Sequence, residues 1–287
     1  MDDKERYFWD LTGYLVVRNV LSPEELKAAN DAVEHFEDRF HESDVLAGRD
    51  SKALQGSSRP TLSGLLEFEK PWCEPFRNMV AHPALVLRLN VMCGPGFRLD
   101  HGPLLIGGIK GTQGTTLHGA GQPHWPHVAY HHQNGRMYVG GVTVSWQLTD
   151  VNDGDGGFAC VPGSHKSRYR MPSGVRTCDE DMGVVVQPAM KAGDVLFFMD
   201  GAQTHGALPW TSEQPRRSIL FKYAARNAAR GGPSASFGSP DIYWEEQIVE
   251  GMTEEQLAVM WGPFSNHAGR VPSLMVDEEG TVRVERD

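Results

Sequence analysis

Positive charge is in short supply in this sequence: 27 Lys and Arg stand against 37 Asp and Glu, for a net charge of −10. An acidic surface weakens the sequence-independent attraction to phosphate backbones and anionic lipid, so neither a nucleic-acid polymer nor a membrane is expected as a partner. Cysteine is scarce as well. The four present, Cys73, Cys93, Cys160 and Cys178, have no CxxC spacing, which argues against a disulfide scaffold or a zinc ribbon and for reduced structural thiols. No apolar run approaches bilayer-spanning length, and the opening MDDKERYFWD lacks a basic stretch followed by an apolar one, so a cytoplasmic protein is expected. Repeats and low-complexity tracts are missing too, which removes solenoid and disordered architectures. With no linker-like segment to divide it, the chain reads as one domain over 1–287, its core at about 100–225 with helical additions at both ends.

What is abundant is turn chemistry. The 32 Gly and 18 Pro favour β architecture over a helix bundle. Short apolar segments at 104–109, 138–148, 158–161, 184–187, 195–199 and 218–223 alternate with turns such as Asp153-Gly154-Asp155-Gly156-Gly157 and Pro162-Gly163-Ser164. Within the second segment, Val142, Val144, Trp146 and Leu148 alternate with Thr143, Ser145 and Gln147, the period of a half-buried strand. Before this β region, a short strand at 13–17 precedes Ser22-Pro23-Glu24-Glu25, an N-cap with proline at N1 and an acid at N3. The helix it opens carries Leu26, Ala29, Val33, Phe36 and Phe40 at helical spacing. A second capped helix is written at Thr253-Glu254-Glu255-Gln256.

Three segments carry a family likeness. They are Lys110-Gly111-Thr112-Gln113-Gly114-Thr115-Thr116-Leu117-His118-Gly119-Ala120; the run from Trp146 through Pro162-Gly163-Ser164-His165; and Gly193-Asp194-Val195, followed by Thr204-His205-Gly206 and Pro215-Arg216-Arg217-Ser218. Together with Gly13-Tyr14 and the Ser22 cap, they resemble the phytanoyl-CoA dioxygenase-like (PhyH) branch of the iron(II)/2-oxoglutarate enzymes over most of residues 8–225. The resemblance implies a mainly β fold with flanking helices (α+β), a double-stranded β-helix or cupin-like jelly roll. It implies Fe(II), 2-oxoglutarate and O₂ as cofactors, with His118 and His205 as metal ligands. Arg216 would anchor the 2-oxoglutarate carboxylate, with Lys110 and Trp146 near that cofactor. Arg217 falls on the opposite face by strand alternation.

The sequence departs from the family at one position: Ala120 stands where the metal motif His-x-Asp has its aspartate. Two imidazoles and a carboxylate are the usual protein set on such iron, so the missing carboxylate leaves a coordination position open. Chloride fits it. The His-x-Ala pattern resembles the iron/2-oxoglutarate halogenases, so Gly119 and Ala120 are expected to frame a halide site. Radical chlorination of a free small molecule is then the favoured reaction. Lys166, Arg168, Arg170 and Arg176 would suit a phosphate, which makes a nucleotide one substrate to consider.

Three alternatives stay open. Hydroxylation would follow if water or a carboxylate from elsewhere completes the site. His132-Gln133-Asn134 is a second His-x-Asn candidate motif, although it lacks the glycine-rich turn that precedes His118. A catalytically dead, ligand-binding jelly roll is the third. The His-rich stretch with His124, Trp125, His127, His131 and His132 also has zinc-like spacing, but its composition reads as a substrate-contacting lid.

Overall fold

The computed structural model describes residues 1–43, 51–119, 128–230, 237–264 and 271–286. The strands in chain order are β1 (Tyr14–Val17), β2 (His41–Ser43), β3 (Arg59–Leu62), β4 (Arg98–Gly108), β5 (Thr115–His118), β6 (Tyr130–Gln133), β7 (Arg136–Val139), β8 (Gly141–Gln147), β9 (Gly157–Cys160), β10 (Val195–Phe198), β11 (His205–Leu208), β12 (Arg216–Ala224), β13 (Ser273–Val276) and β14 (Val282–Glu285). A seven-stranded sheet runs β1-β10-β8-β12-β4-β3-β2, and a three-stranded sheet runs β5-β11-β9. The fold is a cupin-like jelly roll, mostly β with flanking helices.

Alternation along the strands of the large sheet divides the apolar residues between two layers. On its outer face, Val144 and Trp146 of β8, Phe197 of β10 and Ile219, Phe221 and Tyr223 of β12 join one cluster with the helices α1 (Asp3–Thr12), α2 (Pro23–His35), α3 (Glu74–Val80) and α4 (Pro83–Met92). On its inner face, Leu196 and Phe198 meet Phe158 and Cys160 of the small sheet in a second, smaller cluster. The inner face of β12 carries Arg216, Ser218 and Lys222, and that of β8 carries Thr143 and Ser145, so polar groups are concentrated inside the roll. This reversal of the usual apolar interior at one end of the roll is what makes a site there.

The helices begin where the sequence indicates. Ser22 Oγ accepts from Glu25 N at 3.2 Å while Glu25 Oε2 accepts from Ser22 N at 2.8 Å, a reciprocal capping box. Such a cap contributes about 1 kcal/mol. Thr253 and Gln256 repeat the device before a short helix at Glu254–Ala258. The first of these helices is shorter than its pattern predicts. It ends at His35, so Phe40 lies beyond it. The segment 184–187, expected as a strand, makes only an isolated bridge from Val186 to Cys160. The expected strand 138–148 is two strands, parted at Gly140.

Candidate functional site

The small sheet builds the centre of the site. His205 opens β11 and pairs directly across the antiparallel ladder with His118, the last residue of β5. Their rings lie 4.3 Å apart, inclined at 57°. Each Nδ1 lies against the carbonyl oxygen two residues earlier in its own chain: His118 with Thr116 O at 3.0 Å, His205 with Gln203 O at 2.9 Å. A carbonyl only accepts, so each Nδ1 donates, and in the neutral ring the proton is absent from Nε2. That arrangement leaves two Nε2 lone pairs for a metal ion, with the ring orientation fixed from behind. Burial pushes the His205 pKa down to about 3, the neighbouring His118 adding to the effect against the pull of Asp200. His205 is therefore neutral, and competent as a ligand, at physiological pH.

Gly119 explains how β5 comes so close. Its φ is +90°, and a Cβ there would lie 2.3 Å from Gln203 O, the same carbonyl that holds the His205 ring. Only a residue without a side chain allows that approach.

The histidines line a cavity of about 260 Å³, together with Arg59, Arg216, Asp200 and Lys222. Arg216 is buried, and its Nε donates to Ser218 Oγ at 3.1 Å; Ser218 Oγ donates to Gln147 Oε1 at 2.7 Å. Room for the guanidinium comes from Gly157, where a Cβ would sit 3.2 Å from Arg216 Nε. Burial, with Arg59 beside it, lowers the Arg216 pKa to about 10. Among the described residues neither arginine has a carboxylate partner, and the Nε of Arg59 is buried with no hydrogen bond. Two uncompensated guanidiniums in one cavity favour a bound anion, and a dicarboxylate keto acid matches that charge. The donor set thus fits both a divalent metal and 2-oxoglutarate.

Opposite the histidines stands an ion-pair network. Asp200 Oδ2 accepts from Thr143 Oγ1 at 2.8 Å and lies 2.6 Å from Arg230 Nη1 and 3.4 Å from Lys222 Nζ. Burial alone would raise the Asp200 pKa. The charges of Arg230 and Lys222 outweigh it and hold the carboxyl well below the usual carboxylate range. Arg230 continues to Asp100, which is buried against Arg98 at 2.7 Å.

The structure disposes of the sequence-predicted residues unevenly. It brings together His118, His205 and Arg216 in one cavity. Arg217 faces the other way, to Asn30 and Glu34 of α2. Two expectations need correction. Lys110 is exposed and pairs with Glu213 at the surface. Trp146 is fully buried on the outer face of β8 against His82, their rings 5.5 Å apart, so the alternation of the strand turns it away from the cavity that Thr143 and Ser145 line. His132 is exposed on the β6–β7 hairpin, opposite Met137, and does not line the cavity, which removes the His132-x-Asn134 alternative. Ala120, His124, Trp125 and His127 lie outside the described residues. Lys166 pairs with Asp10 at 2.7 Å, and none of Lys166, Arg168, Arg170 and Arg176 lines the cavity, so the geometry gives a phosphate group no seat there.

Sequence reasoning missed Arg59, Asp200 and Lys222. Asp200 had a signal: it shares inward parity with Phe198 at the end of β10, just before His205. Arg59 had none, since it comes from β3, far upstream of the motifs.

No curated protein matches the chain by sequence. Among solved structures it is similar to HygX from Streptomyces hygroscopicus with nickel, 2-oxoglutarate and hygromycin B bound, at 18% identity, covering 82% of this chain and 93% of that one with a TM-score of 0.63. It is similar also to the carbocyclase SnoK from nogalamycin biosynthesis, at 19% identity over 81% of this chain and 87% of that one, TM-score 0.57. The epimerase SnoN in complex with Fe³⁺, α-ketoglutarate and nogalamycin RO matches at 17% identity over 92% and 96%, TM-score 0.57. Residues 9–218 match the family model "Phytanoyl-CoA dioxygenase (PhyH)". With nearly three quarters of its length inside that match, the chain belongs to the PhyH family of non-haem iron, 2-oxoglutarate-dependent enzymes.

Proposed function

We propose that this protein oxidises a C–H bond of a free small molecule, holding Fe(II) through His118 and His205 and 2-oxoglutarate through Arg216. The observation that carries the reading is the convergence of two histidines, each with its Nδ1 held by a backbone carbonyl, and an uncompensated, buried guanidinium in one cavity. When bound, the iron, keto acid and O₂ supply the oxidising equivalents that no side chain of the cavity could. The backbone carbonyls of Thr116 and Gln203 orient the two imidazoles, and Arg216 with Arg59 would neutralise the keto acid. Structural neighbours crystallised with hygromycin B and nogalamycin RO support a small-molecule substrate of natural-product type.

Two products are chemically consistent with such a site. In hydroxylation, substrate, O₂ and 2-oxoglutarate give alcohol, succinate and CO₂. In chlorination, the same reactants with chloride and a proton give the C–Cl product, succinate, CO₂ and water. Hydroxylation is the reading the geometry supports better, because an ionised carboxylate, Asp200, stands in the same cavity as the histidines. An anion bound beside it would meet repulsion. Chlorination is the second reading, favoured by Ala120 in place of the family's aspartate.

The test is anaerobic reconstitution with Fe(II) and 2-oxoglutarate, then O₂ and a panel of natural-product substrates, with and without chloride. Succinate formation and product mass are read together. The proposal expects substrate-stimulated succinate and an added oxygen in both buffers. An added chlorine only when chloride is present would select the second reading. No succinate under any condition, with folded protein, would leave a non-catalytic binding jelly roll.

A further inference from the structure

We infer that Asp200 supplies the carboxylate ligand that the metal motif lacks at position 120. The inference rests on the iron reading above and goes beyond it by assigning the third protein donor.

The placement begins with strand parity. Leu196 and Phe198 of β10 point between the two sheets, so Asp200, two residues further on, points the same way. The chain then reverses through Gly201, with Gln203 N donating to Met199 O, and reaches His205. The turn that sets His205 therefore also delivers a carboxylate to it.

The two oxygens of Asp200 are not equivalent. Among the described residues, the hydroxyl of Thr143, the guanidinium of Arg230 and the ammonium of Lys222 all approach Oδ2. Oδ1 faces His205 Nε2 at 4.0 Å, too far for a hydrogen bond. This is the pattern of a carboxylate that ligates through one oxygen while outer partners hold the other. Donor atoms bound to one first-row ion by bonds of about 2.1 Å stand about 3.0 Å apart at a right angle and about 4.2 Å apart across the ion. The observed 4.0 Å lies within that span. The described residues do not form a closed three-ligand cluster. Moving Oδ1 inward by about 1 Å gives the right-angle spacing.

Charge argues the same way. Two neutral imidazoles leave a divalent ion uncompensated, and Ala120 has no donor atom. Asp200 restores the anionic ligand from the turn between β10 and β11. The position it fills is then closed to halide.

The experiment compares wild type, Asp200→Ala, Asp200→Asn, Thr143→Val and His205→Ala for anaerobic Fe(II) affinity by chelator competition. The visible spectrum of the Co(II)-loaded protein is read alongside, and circular dichroism reports folding. A ligand role expects both Asp200 variants to lose about 100-fold or more in affinity, with a changed Co(II) spectrum. Thr143→Val, which removes only an outer partner, should lose about tenfold. The isosteric Asp200→Asn keeps the test decisive should Asp200→Ala fail to fold. Folded Asp200 variants that bind Fe(II) within about threefold of wild type and keep its Co(II) spectrum, while His205→Ala loses the metal, would overturn the inference and leave the iron reading intact. A wild type that binds no metal would overturn both.

Discussion

Arg216 is held in the fold at a cost that only its ligand offsets, and replacing it with methionine should separate the two. The guanidinium is buried, has one side-chain hydrogen bond, to Ser218, and stands beside Arg59 with no carboxylate partner among the described residues. Burial and the neighbouring Arg59 lower its pKa from the ordinary arginine value to about 10. For a base, a lowered folded-state value means that the unfolded chain binds the proton more tightly. The penalty is fully present below pH 10 and shrinks as pH rises above it toward the ordinary arginine value. At neutral pH the shift corresponds to about 3 kcal/mol of destabilisation. Losing the Ser218 bond returns about 1 kcal/mol of that. Arg216→Met should therefore stabilise the ligand-free protein by about 2 kcal/mol, a rise of about 3 °C in Tm for a chain of this size. In the same variant 2-oxoglutarate should lose about 3 kcal/mol of binding, near 100-fold in Kd. Differential scanning calorimetry with and without 2-oxoglutarate reads both effects. A lower ligand-free Tm, or an undiminished 2-oxoglutarate-induced rise, would refute the reasoning, because the arginine would then be a structural element and not an anchor.

Further outcomes follow from the same geometry. Arg59→Met should raise the KM for 2-oxoglutarate by about tenfold, as loss of one charged partner at the anion site requires, with a smaller change in kcat. Gly119→Ala should lower Fe(II) affinity by at least about tenfold, because its Cβ would displace the Gln203 carbonyl that orients His205; titration of the folded variant checks this. His82, half-buried against Trp146, accepts from Ala84 N through Nδ1, and its partial burial lowers its pKa. Its stabilising cap is complete above the unfolded value of about 6.5 and is lost as pH falls below it. Chemical denaturation from pH 8 to pH 5 should show stability falling with pH, with a slope that His82→Gln reduces by at most one proton.

Much of the fold is written locally. The two capping boxes and the period-2 patterns of β8 and β12 mark helix starts and strand faces, and they separate Arg216 from Arg217 without reference to tertiary structure. What stayed hidden depends on contacts distant in sequence. Segment 184–187 has strand composition but meets the edge of β9 away from β11 only through the Val186–Cys160 bridge, a pairing set by tertiary contact and not by its own residues. Lys110 and Trp146 sit beside motif residues in sequence, yet one projects to solvent and the other through the sheet into the helical layer. Arg59 reaches the cavity only because β3 pairs with β4, a register that nothing near residue 59 announces.

The central claim is that one ion sits between two imidazoles drawn from β5 and β11. A crystal grown anaerobically with Fe(II) and 2-oxoglutarate, measured at the iron absorption edge, tests it most directly. The account expects a single anomalous peak within about 2.2 Å of both His118 Nε2 and His205 Nε2, with the keto acid extending toward Arg216. A peak held instead by histidines of the 124–132 segment, or none between the two rings, would contradict it.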